Sequence, residues 1–107
     1  MKFTVLIPVA DNSGKKFPTQ KLRAIFDRFG IQFGGQSVEG PVDGMWCDDG
    51  VLFHEQSYKI TVVTDVARIE EARELVREIG RDLGQLAMYF EVVNEDGVEF
   101  LRMSPRP

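Results

Sequence analysis

The chain has 107 residues, a formal net charge of −4 and a single Cys. This length predicts one domain over residues 1–103, with residues 104–107 as a flexible tail. Basic residues are scattered and no apolar run approaches the roughly 18 residues of a membrane span, so we expect neither a nucleic-acid partner nor a membrane. A lone Cys excludes an intrachain disulfide framework and favours a reducing compartment, so we expect a cytoplasmic protein.

The first half of the chain predicts a strand, a helix and a second strand. Apolar residues alternate over Phe3–Val9, which indicates a strand. A helix is predicted over Pro18–Phe29, because its apolar residues recur at helical spacing and Gly30 is a suitable stop. Residues 31–47 predict an extended segment that is bent or bulged at its glycines.

The second half opens on a tight turn. Asp49 and Gly50 both tolerate positive φ, which favours a two-residue hairpin loop between the second strand and a third, Val51–Thr64. Asp65 is a natural N-cap for a helix that reaches about Leu83. The remaining segments are two short strands and their turn: Leu86–Val93, residues 94–97 and Val98–Met103.

The order of these segments, β-α-β-β-α-β followed by one more strand, predicts the fold class. It is the ferredoxin-like pattern: an α+β domain with an antiparallel sheet, two helices on one face and an extra C-terminal hairpin strand. The opposite face would carry apolar and polar residues together, among them Trp46, Phe53, Glu55, Ser57 and Tyr89. A face this apolar marks a partner or ligand surface.

Two occupants of this face are open at this stage, and a third, RNA bases stacked on the aromatic residues of the sheet, is disfavoured by the acidic net charge. The main prediction is a homo-oligomeric binding or assembly module, in which two copies form a dimer by burying the face against each other. The alternative is that a small-molecule or protein ligand covers it.

The only Trp, the only Cys and the only His lie within residues 46–54. A two-residue loop would pair Trp46 with Phe53 across the hairpin. Since neighbouring residues of a strand point to opposite sides, Cys47 and His54 would then share one side, and Glu55 would lie on the other with Trp46.

The hairpin also carries residue types that transfer protons. His54, Glu55 and Tyr58 are the candidates. They predict an alternative function, a small cofactor-independent enzyme or ligand-binding protein with a pocket near the hairpin. A zinc site needs three or four ligands, and the chain has no second Cys or His, so we expect no metal and no cofactor.

The stretch GMWCDDGVLFHEQSYKITVV resembles the central hairpin of a family of small bacterial α+β proteins. The pattern is Gly-x-Trp, a Gly-containing turn, then Glu-x-Ser before an apolar strand, which falls here on Gly44, Trp46, Gly50, Glu55 and Ser57. The resemblance implies a small α+β domain and brings no established activity. It makes Glu55 and Ser57 the motif positions most worth testing.

Overall fold

A computed structural model describes residues 1–93 and 98–103. Its elements are β1 (Lys2–Pro8), α1 (Thr19–Phe33), β2 (Ser37–Asp48), β3 (Val51–Val63), a 3₁₀ turn (Val66–Arg68), α2 (Ile69–Asp82), β4 (Ala87–Val92) and β5 (Val98–Arg102). Within these ranges the strands form one antiparallel sheet in the order β2-β3-β1-β4-β5. The predicted α+β class, with an antiparallel sheet and two helices, is confirmed. The predicted turn at 94–97 and tail at 104–107 lie outside the described residues.

Both helices share one hydrophobic core with a single face of the sheet. Phe3, Val5 and Ile7 of β1 are fully buried in that core. The stripe predicted for the second helix is buried there as well: Ile69, Ala72, Val76, Ile79 and Leu83. Because alternate strand residues point to opposite faces, the other face of the sheet lies away from both helices. We call it the open face.

The first helix runs one turn further than predicted. Gly30 does not end it; the helix ends at Phe33, and Gly34 takes the left-handed C-cap conformation at φ 85°. Phe33 explains the extension, because its ring contacts Phe3 edge-on with centroids 5.4 Å apart and the Arg68 guanidinium lies 4.6 Å from its centre. These contacts outweigh the roughly 1 kcal/mol that a mid-helix Gly costs relative to Ala.

The second helix starts later than predicted. Asp65 precedes the 3₁₀ turn rather than α2, and its side chain makes no capping hydrogen bond. The tighter turn brings the Arg68 side chain against α1, where it donates a 2.6 Å hydrogen bond to the Gln32 carbonyl. This contact satisfies one of the carbonyls that the end of α1 leaves unpaired.

Strands β2 and β3 form a long hairpin with the predicted register. Trp46 pairs with Phe53, and the loop residues Asp49 and Gly50 have φ values of 51° and 76°. The strand predicted from residue 31 begins only at Ser37, because α1 takes the residues before it. The predicted bulge is present as a shift of register between Glu39 and Val42.

The outer part of this hairpin extends beyond the rest of the sheet. Pairing between β1 and β3 stops at Pro8 and Ser57. Residues 42–56 therefore form a two-stranded projection, the hairpin arm. Every residue of β2 and the first part of β3 is exposed.

Candidate functional site

A cleft of about 1180 Å³ opens at the end of the open face from which the hairpin arm projects. The arm lines one side, Leu6 and Pro8 of β1 line the middle, and β4 and β5 line the opposite side. The loop over residues 9–16 borders the end of this space. We call it the hairpin cleft.

Two aromatic pairs line the hairpin cleft on the open face, one from strands β2 and β3 and the other from strands β4 and β5. Trp46 and Phe53 stack with centroids 4.5 Å apart and an interplanar angle of 17°. Tyr89 and Phe100 meet edge-on with centroids 5.8 Å apart. In each pair the rings are direct cross-strand neighbours, so strand register positions them. Their faces suit a flat, aromatic ligand.

The charges in the cleft are mainly negative. The hairpin arm and the neighbouring loop contribute the carboxylates Asp11, Asp43, Asp48 and Glu55, against the cations Lys16 and Arg102. Glu55 is exposed overall, and partial desolvation of its carboxylate raises the pKa of Glu55 above its ordinary value. Within the described residues Glu55 forms no ion pair, so its charge is left for a ligand or for solvent to balance.

Two hydroxyl groups lie on the same face as Glu55. Ser57 is buried at the junction of the arm with β1, opposite Pro8. The Tyr89 hydroxyl donates a 3.3 Å hydrogen bond to Glu91. Burial, reinforced by the Glu91 charge, raises the pKa of Tyr89, so this phenol stays protonated and can donate at neutral pH.

The loop at the border of the cleft is held in place by its own hydrogen bonds. Asp11 Oδ1 accepts from the Ser13 amide at 2.9 Å, the Ser13 hydroxyl at 2.7 Å and the Lys15 amide at 2.9 Å. These bonds, chiefly that from the Ser13 hydroxyl, lower the pKa of Asp11. The Val9 amide donates to the Gln56 carbonyl at 3.0 Å, which ties the loop to the base of the hairpin arm.

The residues predicted for the open face lie together in the structure, whereas the three predicted catalytic residues do not all lie in the cleft. The five residues predicted for the open face all line the hairpin cleft: Trp46, Phe53, Glu55, Ser57 and Tyr89. His54 contributes to the lining from the other side of the arm. Tyr58 points toward α1, where its ring meets Phe26 edge-on at 5.2 Å, and does not line the cleft.

The hairpin's Cys and His are not part of a metal-binding group in the described residues. Cys47 is a free, exposed thiol on the side of the arm that carries His54. No cluster of three or more His, Cys, Asp or Glu side chains suited to a metal ion occurs in residues 1–93 and 98–103. None of the helices in those ranges is long and apolar enough to cross a bilayer.

Sequence reasoning missed the contribution of β5 and of the loop. Phe100 and Arg102 line the cleft from β5. Alternation along the last strand would have placed both on one face. Only the register with β4, which sets Phe100 opposite Tyr89, shows that this face is the open one.

Comparison with known proteins supplies a likeness of fold. No protein-family model matches the chain, and no curated protein matches it. The chain is similar to a phage SAM lyase in complex with S-methyl-5'-thioadenosine, with a TM-score of 0.69 and 11% identity over 99% of this chain and 92% of that one. It is also similar to a phage SAM lyase in the apo state, with a TM-score of 0.60 and 16% identity over 98% of this chain and 83% of that one. Identities this low show a shared fold.

Proposed function

We propose that the protein binds a small cationic nucleoside of the S-adenosylmethionine class in the hairpin cleft. The observation that carries the proposal is the joint lining of one concave site by two aromatic pairs and by the unpaired Glu55. A purine ring stacks on aromatic faces, and a sulfonium cation is attracted both by those faces and by a carboxylate. The likeness of the fold to phage SAM lyases supports the same ligand class.

In this proposal, different residues of the cleft contact different parts of the ligand. Trp46 and Phe53 offer one stacking surface, and Tyr89 with Phe100 offers another. Glu55 supplies the negative charge for the sulfonium or ammonium group of the ligand. The catalytic alternative for the cleft is a lyase. The carboxylate of the substrate's own amino-acid part would form a new C–O bond to the carbon attached to sulfur, while the bond from that carbon to the sulfonium sulfur breaks and leaves its electron pair on sulfur. The products are a lactone and S-methyl-5'-thioadenosine. Of the predicted proton-transfer candidates, His54 and Glu55 line the cleft, whereas Tyr58 packs on Phe26 outside it.

Trp46 fluorescence tests the binding proposal directly, because Trp46 is the only Trp of the chain. We expect S-adenosylmethionine to change this emission saturably and to bind more tightly than S-adenosylhomocysteine, which lacks the sulfonium charge. Glu55→Gln should remove most of that preference. Chromatography of the same mixture detects S-methyl-5'-thioadenosine. No saturable change in fluorescence or in calorimetric heat at millimolar ligand would overturn the proposal.

A second candidate function is self-association. Val63 and Val93 on the open face are 69% and 58% exposed, and unpaired apolar surface of this kind favours burial against a partner. We propose a homodimer, whose mass in solution would be twice that of one chain. Val63→Asp with Val93→Asp tests the open face: a dimer that dissociates in this variant uses the face, and a dimer that persists uses another surface.

We also infer that the architecture is a variant of the ferredoxin-like plan. The support is the strand order, in which β1 lies between β3 and β4, β2 flanks β3, and the helices follow β1 and β3 in the chain. The fifth strand then extends the sheet beyond β4.

A further inference from the structure

The hairpin arm has a second apolar side, which faces away from the side that carries Trp46. Met45 and Leu52 lie on this outer side with Cys47, and they are 66% and 57% exposed. An isolated two-stranded hairpin is at best marginally stable in water. Apolar residues on both sides of such a projection indicate that something packs against the outer side too.

The arm is acidic throughout. Residues 42–56 contain Asp43, Asp48, Asp49 and Glu55 and no Lys or Arg. All four residues are exposed, and none of them forms an ion pair within the described part of the chain. Asp43 lies on the outer side with Met45, and Asp49 lies in the loop at the tip. Asp48 and Glu55 lie on the Trp46 side and line the hairpin cleft, so the outer contact depends on Asp43 and Asp49.

The complementary surface is on the same molecule. Residues 12–26, at the start of α1 and the loop before it, contain Lys15, Lys16, Lys21 and Arg23 and no Asp or Glu. These residues are exposed as well, and none of them forms an ion pair among the described residues. Lys15 is near enough to Asp11 to lower its pKa, and Lys21 donates a 3.4 Å hydrogen bond to the Asp82 carbonyl. We call this stretch the basic segment.

We propose that the hairpin arm docks on the basic segment of a second copy of this chain, reciprocally, so that each copy receives the other's arm. Opposite charges on two surfaces of one chain satisfy both contacts at once under two-fold symmetry. Met45 and Leu52 become covered in the same contact. The proposal rests on the self-association proposed above, but it assigns the contact to the hairpin arm and the basic segment rather than to the open face.

Paired charge changes test the contact. Asp43→Lys with Asp49→Asn lowers the net charge of the arm from −4 to −1. Asn is chosen at position 49 because its backbone is left-handed, with φ 51°. Lys15→Glu with Arg23→Glu lowers the net charge of the basic segment from +4 to zero. We expect wild type to have twice the 12.1 kDa mass of one chain by light scattering. Each double variant should be monomeric at the same concentration. The combined quadruple variant should be monomeric as well, because its arm keeps a net charge of −1 and its basic segment a net charge of zero. Glu74→Lys on α2, outside both surfaces, should leave the dimer intact.

Cys47 gives an independent readout, because it is the only Cys and lies on the outer side of the arm. We expect its alkylation by iodoacetamide to slow several-fold as wild-type concentration rises, and to be independent of concentration in the monomeric variants. Circular dichroism and melting temperature check that each variant is folded.

The outcomes separate the two proposals. A wild-type chain that is monomeric at every concentration overturns both self-association and this contact. A dimer that survives both double variants overturns this contact alone, and it belongs to the open face if it dissociates in the Val63→Asp, Val93→Asp variant. A folded quadruple variant that still dimerises also overturns this contact.

Discussion

Folding disfavours the ionised form of the Glu55 side chain. Although the side chain is exposed overall, partial desolvation of the carboxylate raises its pKa above 4.5, the ordinary value of a Glu side chain. A raised folded-state pKa means that folding favours the protonated form. The stability that the protonated side chain contributes is therefore complete below pH 4.5 and is lost as pH rises through the folded-state pKa. Such a cost is typical of a group retained for binding rather than for stability.

We therefore expect Glu55→Gln to melt at a higher temperature than wild type at about pH 7, and the difference to vanish as pH falls to about 4. Melting curves across this range measure it. Glu70→Gln is the opposite control: the Glu70 pKa is lowered, first by a hydrogen bond from Arg73, so its loss should destabilise the protein at neutral pH and matter less in acid. A Glu55→Gln variant no more stable than wild type at neutral pH would contradict the argument.

At the scale of elements, the end of α1 shows how a tertiary contact moves a boundary. Gly30 and Gly34 are both plausible stops by local rules, and sequence alone favours the first. The packing of Phe33 on Phe3 selects the second, and it depends on a residue thirty positions away in the chain. The hairpin loop, in contrast, is determined locally by Asp49 and Gly50, which is why its register could be predicted.

The two glycines should respond oppositely to the same substitution. Gly30 is helical, and an added Cβ would lie 3.6 Å from the Gln36 side chain, an ordinary contact. We expect Gly30→Ala to raise the free energy of unfolding by up to about 1 kcal/mol. Gly34 has φ 85°, so Gly34→Ala should lower it by about 1 kcal/mol. Urea titration measures both. A stabilising Gly34→Ala would mean that α1 does not end as described.

At the scale of the whole molecule, the sequence predicted which residues share a face of the sheet better than it predicted the full lining of the cleft. Alternation and turn chemistry are local, and they placed Trp46, Phe53, Glu55, Ser57 and Tyr89 on one face, where the structure has them. The cleft also needs the path of the loop over residues 9–16 and the pairing of β5 with β4. Neither follows from local pattern, because both depend on which distant strands meet.

The proposed arm contact would make self-association weaker at high salt, which is not expected of an apolar interface. Attraction between exposed charges is screened over about 10 Å at 0.1 M salt and over about 3 Å at 1 M. Contact between the acidic arm and the basic segment should therefore weaken as the salt concentration rises. A dimer formed through the apolar open face should keep or increase its affinity, because the hydrophobic effect does not depend on charge. We expect the dimer Kd, measured by sedimentation equilibrium, to rise at least several-fold between about 0.05 M and about 0.5 M NaCl. A Kd that is constant or falls over this range would assign the dimer to Val63, Val93 and the rest of the open face.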